Sequence, residues 1–239
     1  GKVIFVKYAV PGDVLDIRII AKKKGIFEAK IERIVSPGPS RIEAKCEHFG
    51  LCGGCKWQHM PYDEQLKMKN QQVIDALQRI AKIEFPEPMP ILGSEKVWEY
   101  RNRLDYAFSN KRWLMDGENN GEPLNLNGLG FHIPGRFDKV LDLNQCHLQD
   151  DISNKIRKFV KKFSLDHNYS FHDLKNKGGF LRNIIVRNST LNEWMIIMVF
   201  GENNEEEIKL FLDSLLKEFP IITSLFYTIN TKLNDTIYD

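Results

Sequence analysis

Four cysteines constrain this chain more than any other feature of its sequence. Cys46, Cys52 and Cys55 stand in the segment CEHFGLCGGCKWQH with the spacing C-x5-C-x2-C, and Cys146 lies far along the chain in LDLNQCHLQ. Four thiolates are the ligands that a [4Fe–4S] cluster needs. The adjacent glycines of the segment remove Cβ atoms where the backbone must curl closely around such a group. The pattern therefore favours an iron–sulfur cluster.

The cysteines are also compatible with zinc, with disulfides or with unrelated core positions. Structural zinc usually uses two C-x2-C pairs; only one is present, although His48, His59 and His147 could complete a zinc site. A pair of disulfides is less favoured, because nothing in the sequence indicates an oxidising compartment. Four unrelated core cysteines would not require the glycines between them.

Composition indicates a folded protein with two basic regions. With 239 residues and 42% hydrophobic side chains, the chain can form one or two domains. No apolar run reaches the roughly 18 residues of a membrane span, and no leader opens the chain, so we expect a cytoplasmic protein with no membrane partner. Residues 1–45 hold ten Lys and Arg against five Asp and Glu, and residues 151–200 hold nine against four. Such regions bind polyanions or form a solvated basic face.

Hydrophobic periodicity predicts both strands and helices. Alternation within residues 1–44 predicts three short strands, fewer than the roughly five of a small closed barrel. This region is therefore an open sheet or a barrel without its first strand. Helical spacing of apolar residues predicts helices over 62–82, 150–163 and 204–219. Strands are predicted in 103–110, 129–135, 138–143 and 224–231, and a β-hairpin in GFLRNIIVRNS and EWMIIMVFG.

Several segments together resemble one enzyme family. They are AVPGDVLDIRI, CEHFGLCGGCKWQHMPYDEQLKMK, EYRNRLDYAF, LGFHIPGRFDKVLDLNQCHLQ and GFLRNIIVRNS. The sequence resembles the class I RNA (uracil-5-)-methyltransferases that carry an N-terminal TRAM domain and a [4Fe–4S] cluster, of the type that modifies a uridine of 23S ribosomal RNA. The resemblance implies that the cluster ligands are Cys46, Cys52, Cys55 and Cys146.

The resemblance also implies a fold class, a multidomain β and α+β chain. It implies a partial OB-like TRAM barrel over 1–44, the cysteine loop over 45–60, a helix over 61–90 that docks on a catalytic domain, and a central α+β RNA-binding domain over 91–239. We expect the Rossmann-like catalytic domain, which binds S-adenosylmethionine in this family, to be absent, because no glycine-rich strand-to-helix turn is present. Uracil C5 methylation needs a free thiolate nucleophile. If the cluster uses all four cysteines, we expect a catalytically inert fragment without residues for S-adenosylmethionine.

RNA contacts are expected from cationic and aromatic side chains, since phosphates and unstacked bases are what such proteins bind. The predicted RNA-binding residues are Lys56, Arg101, Arg103, His132, Arg136, Arg182 and Arg187. Trp57 and Lys22–Lys24 are weaker candidates, because a core position or simple solvation accounts for them as well. The expected partner is structured RNA, foremost 23S ribosomal RNA, and not DNA. The alternatives are a stand-alone iron–sulfur RNA-binding protein and the transfer-RNA branch of the family.

Overall fold

A computed structural model describes residues 2–115, 117–118, 121–232, 234 and 237. The chain forms two compact units. The first consists of Gly1–Gly50 and Cys55–Val97, and the second of Leu51–Gly54 and Trp98–Asp239. Residues of the cysteine loop therefore belong to both units.

The first unit contains a three-stranded sheet. Its strands are β1 (Ile4–Val6), β2 (Val14–Lys23) and β3 (Ile26–Ser36). The central strand β3 pairs with β1 in parallel and with β2 in antiparallel orientation. Lys24 and Gly25 both have positive φ and form the two-residue turn that joins β2 to β3, as a tight hairpin requires. The three predicted N-terminal strands are confirmed.

Asp13 connects the loops of the first unit. Its side chain is 1% exposed. The carboxylate accepts hydrogen bonds from the backbone amides of Val10 and Gly38 at 2.6 and 2.8 Å, and from the Arg41 guanidinium at 2.6 and 2.9 Å. The Arg41 guanidinium also donates to the Tyr8 carbonyl at 2.7 Å. Hydrogen bonds from Arg41 hold the pKa of Asp13 well below its usual range. The apolar side chains of this unit that are buried are Val10, Ala29 and Met60, so we expect this polar network to contribute to the stability of the unit.

The predicted helix over 62–82 is confirmed. Helix α1 spans Tyr62–Asp75 and continues as a π-helical segment over Ala76–Ala81, which ends at Lys82 in a left-handed conformation. None of its residues is buried, and Val73 and Ile80 are 58% and 82% exposed. The apolar stripe is therefore largely uncovered, and docking of this helix on another domain stays a prediction.

The second unit is built on a six-stranded sheet. Its strands are β4 (Arg103–Ser109), β5 (Gly128–Ile133), β6 (Arg136–Asp142), β7 (Leu181–Asn188), β8 (Trp194–Phe200) and β9 (Ile222–Ile229). The order is β6-β5-β4-β7-β8-β9, with antiparallel pairs except for the parallel pair of β8 and β9. The predicted β7–β8 hairpin and the remaining predicted strands are confirmed, with ends shifted by a few residues.

Helices α2 (Asp151–Asp166) and α3 (Glu205–Glu218) match the predicted helices. Asp150 and Asn204 cap them by accepting from the amides of Ile152 and Glu207. Aromatic contacts join helices to sheet: Phe211 packs against Phe163 of α2 and Phe200 of β8. The core of this unit is formed by residues such as Tyr106, Ile184, Ile196, Met198 and Phe211, all at most 1% exposed.

The fold class predicted from the sequence is wrong. We expected a partial OB-like barrel over 1–44 and no Rossmann-like catalytic domain. In the described residues the N-terminal strands form an open sheet with two edges, β1 and β2, which was one of the two expected forms, and the partial barrel stays a prediction. The second unit has a sheet of six strands, as many as a Rossmann-like domain contains. The number of strands therefore does not support our expectation that a Rossmann-like domain is absent.

We predict that Asp13→Asn lowers the free energy of unfolding by about 3 kcal/mol at pH 7, because the half-buried Arg41 loses the buried carboxylate with which it pairs. The native pKa of Asp13 is lowered, so its contribution is complete above the ordinary carboxyl pKa of about 4 and is lost as the pH falls below it. The difference between the two proteins should therefore shrink in acid. Urea unfolding of both proteins at pH 7 and at acidic pH measures this difference in the free energy of unfolding.

The matched control is Asp16→Asn, which removes an exposed ion pair with Arg33. Exposed pairs contribute little. Equal losses in the two variants would contradict the role given to Asp13.

Candidate nucleic-acid interface and cysteine segment

Two predicted RNA-binding arginines lie side by side on the second unit. Arg103 of β4 and Arg187 of β7 are register partners, so their side chains leave the sheet on the same face. Both are exposed. Arg103 donates through Nε and Nη2 to the two carboxylate oxygens of Asp105, each at 2.8 Å. Both side chains of this ion pair are exposed, so the pair contributes little to stability. A phosphate can therefore compete with the carboxylate for Arg103.

The same face continues with apolar side chains. In the strand register, Met195 lies opposite Arg187, and Phe226 lies opposite Ile197. Phe226 is 53% exposed. We call this surface, defined by Arg103, Arg187, Met195, Ile197 and Phe226, the arginine face. It combines guanidinium groups with an exposed aromatic ring, the two kinds of group that contact phosphates and unstacked bases.

Arg101 does not share the strand with Arg103. Strand β4 begins at Arg103, and the Arg101 amide donates to the Leu148 carbonyl at 2.8 Å instead of joining the sheet. The predicted common strand face for these two arginines is therefore wrong, although Arg101 is exposed.

His132 and Arg136 flank the turn between β5 and β6, and both are exposed. Arg136 Nε lies 3.4 Å from Asp138 Oδ1. The neighbouring Phe137 is 76% exposed. This turn therefore presents a second set of cationic and aromatic groups on the second unit.

Lys56 and Trp57 belong to the first unit. Lys56 is exposed and Trp57 is half-buried, with the Lys69 ammonium 6.0 Å from its ring centroid. Lys22, at the β2 end of the hairpin, lies over the Phe27 ring at 5.5 Å. These contacts fit either an RNA surface or a solvated basic face.

Arg182 differs from the other candidates because it is buried, with 5% of its surface exposed. Its guanidinium donates to the carbonyls of Asn230, Lys232 and Asn234 at 2.6, 2.7 and 2.9 Å. These bonds attach the segment after β9 to strand β7. Its position does not support the predicted RNA contact.

Helix α2 fixes the position of Cys146. The Asn154 side chain accepts from the Cys146 amide at 2.8 Å and donates to its carbonyl at 2.9 Å. One turn further, the buried Arg157 donates to the carbonyls of Leu143 and Asn144. The roles of Asn154 and Arg157 were not predicted, since only the folded chain shows what a polar helix residue contacts.

Cys46 and Cys55 lie in the first unit. The Cys46 amide donates to the Gln58 side chain at 3.0 Å. Burial raises the pKa of the Cys46 thiol, and the negative charge of a Cys55 thiolate raises it further. A thiol held neutral in this way needs a metal ion or another positive group before it ionises readily.

Cys52 lies in the second unit with the two glycines of the segment. Gly53 has a φ of +70°, and a Cβ there would meet Pro134 Cγ at 2.3 Å. A Cβ on Gly54 would lie 3.3 Å from the Cys52 sulfur. The glycines therefore allow a close approach to the β5–β6 turn and to sulfur, in line with the predicted tight curl of the backbone.

Within the described residues none of the four cysteines forms a disulfide bond, which contradicts the disulfide alternative. Among the described residues, no three or more His, Cys, Asp or Glu side chains are grouped so that they could hold a metal ion. The described residues therefore give no support to the predicted cluster, and its ligand set stays a prediction.

Of the three histidines near the cysteines, His48 and His59 are buried. Phe49 packs against His59 with ring centroids 5.0 Å apart, and Tyr8 packs against both rings at 5.3 and 6.0 Å. His147 in the second unit packs against Trp98 at 6.0 Å. The aromatic cluster around His59 was not predicted, because Tyr8 and His59 lie 51 residues apart in the chain.

Two curated bacterial relatives align with 99% of this chain. One, from Bacteroides thetaiotaomicron, is 49% identical over 242 residues, which are 53% of its own length. The other, from Porphyromonas gingivalis, is 45% identical over 244 residues, 52% of its length. Both are named uncharacterized RNA methyltransferase. The chain thus spans about half the length of the curated relatives it matches.

Among solved structures, Pyrococcus abyssi tRNA (uracil-54, C5)-methyltransferase in complex with S-adenosyl-L-homocysteine aligns with 98% of this chain and 49% of its own, with a TM-score of 0.65 and 24% identity. At 24% sequence identity, this similarity shows only that the two proteins share a fold. No protein-family model matches the chain.

These alignments contradict the prediction of a truncated, catalytically inert part of a 23S ribosomal RNA methyltransferase. Proteins named RNA methyltransferases match 99% of the chain, and a methyltransferase structure matches 98% of it. None of these three names mentions 23S ribosomal RNA. The expected absence of a catalytic domain rested on one missing glycine motif and on the assumption that a cluster uses every cysteine. Neither observation is strong enough to establish an absence.

In the part of the chain that the structure describes, the helices are too short or too polar to cross a lipid bilayer.

We predict that Arg182→Met lowers the free energy of unfolding by about 2 kcal/mol, because three carbonyls lose a charged donor. Arg187→Met, on the same strand but exposed, should change it by less than about 0.5 kcal/mol. Urea unfolding of the two variants and the unchanged protein compares them. A larger loss for Arg187→Met would contradict the structural role of Arg182.

Proposed function

We propose that the whole protein is an RNA methyltransferase that transfers a methyl group from S-adenosylmethionine to structured RNA. The observation that carries this proposal is the 49% identity, along 99% of the chain, to a protein named RNA methyltransferase. The fold likeness to a methyltransferase solved with S-adenosyl-L-homocysteine supports the choice of methyl donor.

The arginine face supports an RNA substrate. Arg103 and Arg187 present two guanidinium groups from adjacent strands, which suits the closely spaced phosphates of folded RNA. The exposed Phe226 offers a ring on which an unstacked base can pack. Lys56, Arg101, His132 and Arg136 are exposed and add to the proposed RNA-binding set, from which burial removes Arg182.

S-adenosylmethionine supplies an electrophilic methyl group, and we assign no residue of this chain to it. In the described residues, β8, α3 and β9 form a strand–helix–strand unit with a parallel strand pair. The turn between β8 and α3 contains Gly201 as its single glycine, and Glu205–Glu207 occupy the first helical turn. Three carboxylates there disfavour a ligand carboxylate at this helix N-terminus.

The test is methyl transfer from labelled S-adenosylmethionine by the whole purified protein. The substrates are separate ribosomal and transfer RNA fractions, because the structural neighbour acts on transfer RNA and our expectation from the sequence was ribosomal RNA. We expect label in RNA and, after digestion to nucleosides, in one methylated base. Arg187→Met should raise KM for RNA and leave kcat nearly unchanged, because a phosphate contact binds ground and transition states alike.

Absence of label in every RNA fraction, with the protein folded and S-adenosylmethionine bound, would contradict the proposal. Label in protein but not in RNA would assign a different substrate. As a control, the same RNAs are made by transcription and carry no modification. A site that is already methylated in purified RNA takes up no label, and the transcripts exclude that cause.

We also propose, on the cysteine spacing and the family resemblance, that Cys46, Cys52, Cys55 and Cys146 bind a [4Fe–4S] cluster in the whole protein. The lack of disulfide bonds at these four cysteines in the described residues and the backbone curl at Gly53 are compatible with such a group. The cluster would stabilise the folded protein, because binding of a metal group by such ligands is coupled to folding.

We predict that Cys146→Ser, purified without oxygen, loses iron and its brown absorbance and unfolds at lower denaturant concentration. His147→Ala is the control, since it changes the neighbouring residue without removing a thiol. Full iron content in Cys146→Ser would contradict the ligand set. Bound zinc that is lost in His147→Ala would support the zinc alternative.

A further inference from the structure

The hairpin of β5 and β6 contains an irregularity in its strand pairing. Ile133 lies opposite Arg136, and the preceding residue, His132, lies opposite Val140. Residues 137–139 of β6 stand between these two pairs and therefore bulge out of the ladder. Bulges interrupt regular pairing, bend the strand and often direct a side chain away from the sheet next to functional sites.

The support of this bulge is fixed in place. Ile133 and Val140 are buried. The Trp113 amide donates to the Val140 carbonyl at 2.7 Å, so another segment of the chain also binds this strand. At the turn between the strands, a Cβ on Gly53 would meet Pro134 Cγ at 2.3 Å, which shows how closely the cysteine segment packs against the turn. The bulge therefore projects from a rigid support within the second unit.

Phe137, the first residue of the bulge, is 76% exposed. A single exposed apolar side chain is common and needs no explanation by itself. This ring, however, lies between two cations. Arg136 has only an exposed ion pair with Asp138, at 3.4 Å, and the Lys139 ammonium lies 5.5 Å from the ring centroid of Trp113. The bulge thus combines an exposed ring with two cations and a second aromatic side chain.

Single-stranded RNA fits this combination of groups. An unpaired base can stack on an aromatic ring, and the adjoining phosphates bind cations. An apolar protein surface would have to cover Arg136 and Lys139, and burying a charge without a partner is costly. Double-stranded RNA fits less well, because its bases already stack on one another. The bulge therefore favours an unpaired segment of RNA.

We propose that Phe137 stacks on an unpaired base of the RNA and that Arg136 and Lys139 bind the phosphates next to that base. The inference rests on the proposed function, because it names how the RNA substrate is held. Phe137 is then a positioning residue, since stacking holds a base in place without acting on the reacting atoms.

The probe is a short single-stranded RNA of uridines, and the same strand paired with adenosines is its double-stranded counterpart. Phe137→Ala in the whole protein should weaken binding of the single strand at least about fivefold, because base–aromatic stacking is lost. It should leave binding of the double strand and the dependence of affinity on salt unchanged. Phe137→Trp keeps a stacking ring and should retain the affinity. Because Phe137 is exposed, we expect these variants to fold.

Phe137→Leu keeps an apolar side chain and removes the ring, so it separates stacking from a simple apolar contact and should behave like Phe137→Ala. Lys139→Gln should reduce the salt dependence by about one phosphate contact. The matched control is Leu191→Ala. Leu191 is 79% exposed in the turn between β7 and β8, and residues 189–193 include no Lys or Arg. This control should bind both RNAs as the unchanged protein does.

Equal affinity of Phe137→Ala and the unchanged protein for the single strand would overturn the proposal and leave methyl transfer to RNA intact. An equal loss of affinity for the double strand would also overturn it, as would full affinity of Phe137→Leu, which would assign the ring to an apolar contact. No binding of the single strand by the unchanged protein would overturn it too. Failure of the protein to methylate any RNA is the separate result that would overturn the proposed function.

Discussion

The hydrogen bonds from helix α2 to the chain after β6 are the interaction on which the second unit most depends. Asn154 binds both backbone groups of Cys146, and Arg157 binds the carbonyls of Leu143 and Asn144. Arg157 also lies over the Tyr106 ring, whose hydroxyl contacts Ser153 of the same helix. One buried helix face therefore determines the path of the sheet edge, the position of a conspicuous cysteine and the packing of the core beneath it. Removing any of these polar side chains would leave buried backbone groups without partners.

Local patterns were enough to predict most elements of secondary structure. The apolar residues of α2 and α3 recur at helical spacing, and the strands β7 and β8 alternate or form short apolar runs bounded by turn residues. The open N-terminal sheet was one of the two forms that the strand count allowed. Which form a chain adopts depends on how strands pair over long distances, and local patterns do not show that pairing. Arg182 shows the same limit, because its partners lie 48 to 52 residues away in the sequence.

The candidate site was predictable in parts. Arg103 and Arg187 are exposed, as phosphate-binding groups must be, and their role in RNA binding stays a prediction. Their pairing in the sheet became visible only with the strand register. The packing of His59 in an aromatic cluster could not be predicted, because Tyr8, Phe49 and His59 meet only after the chain folds. The expectation of a catalytically inert chain was wrong because the absence of one glycine-rich motif was taken as the absence of the whole catalytic domain.

The ion pair of Arg103 and Asp105 has a consequence for which anions this surface can retain. The carboxylate already occupies the Nε–Nη2 side of the guanidinium, so an incoming anion competes on that side with a tethered carboxylate. An isolated phosphate gains one contact and repels the displaced aspartate. A chain of phosphates gains several contacts at once, at Arg187 as well, and the repulsion from a single carboxylate becomes a small fraction of the total. The built-in competitor would thus screen out free phosphate and mononucleotides and leave the surface available to polymers.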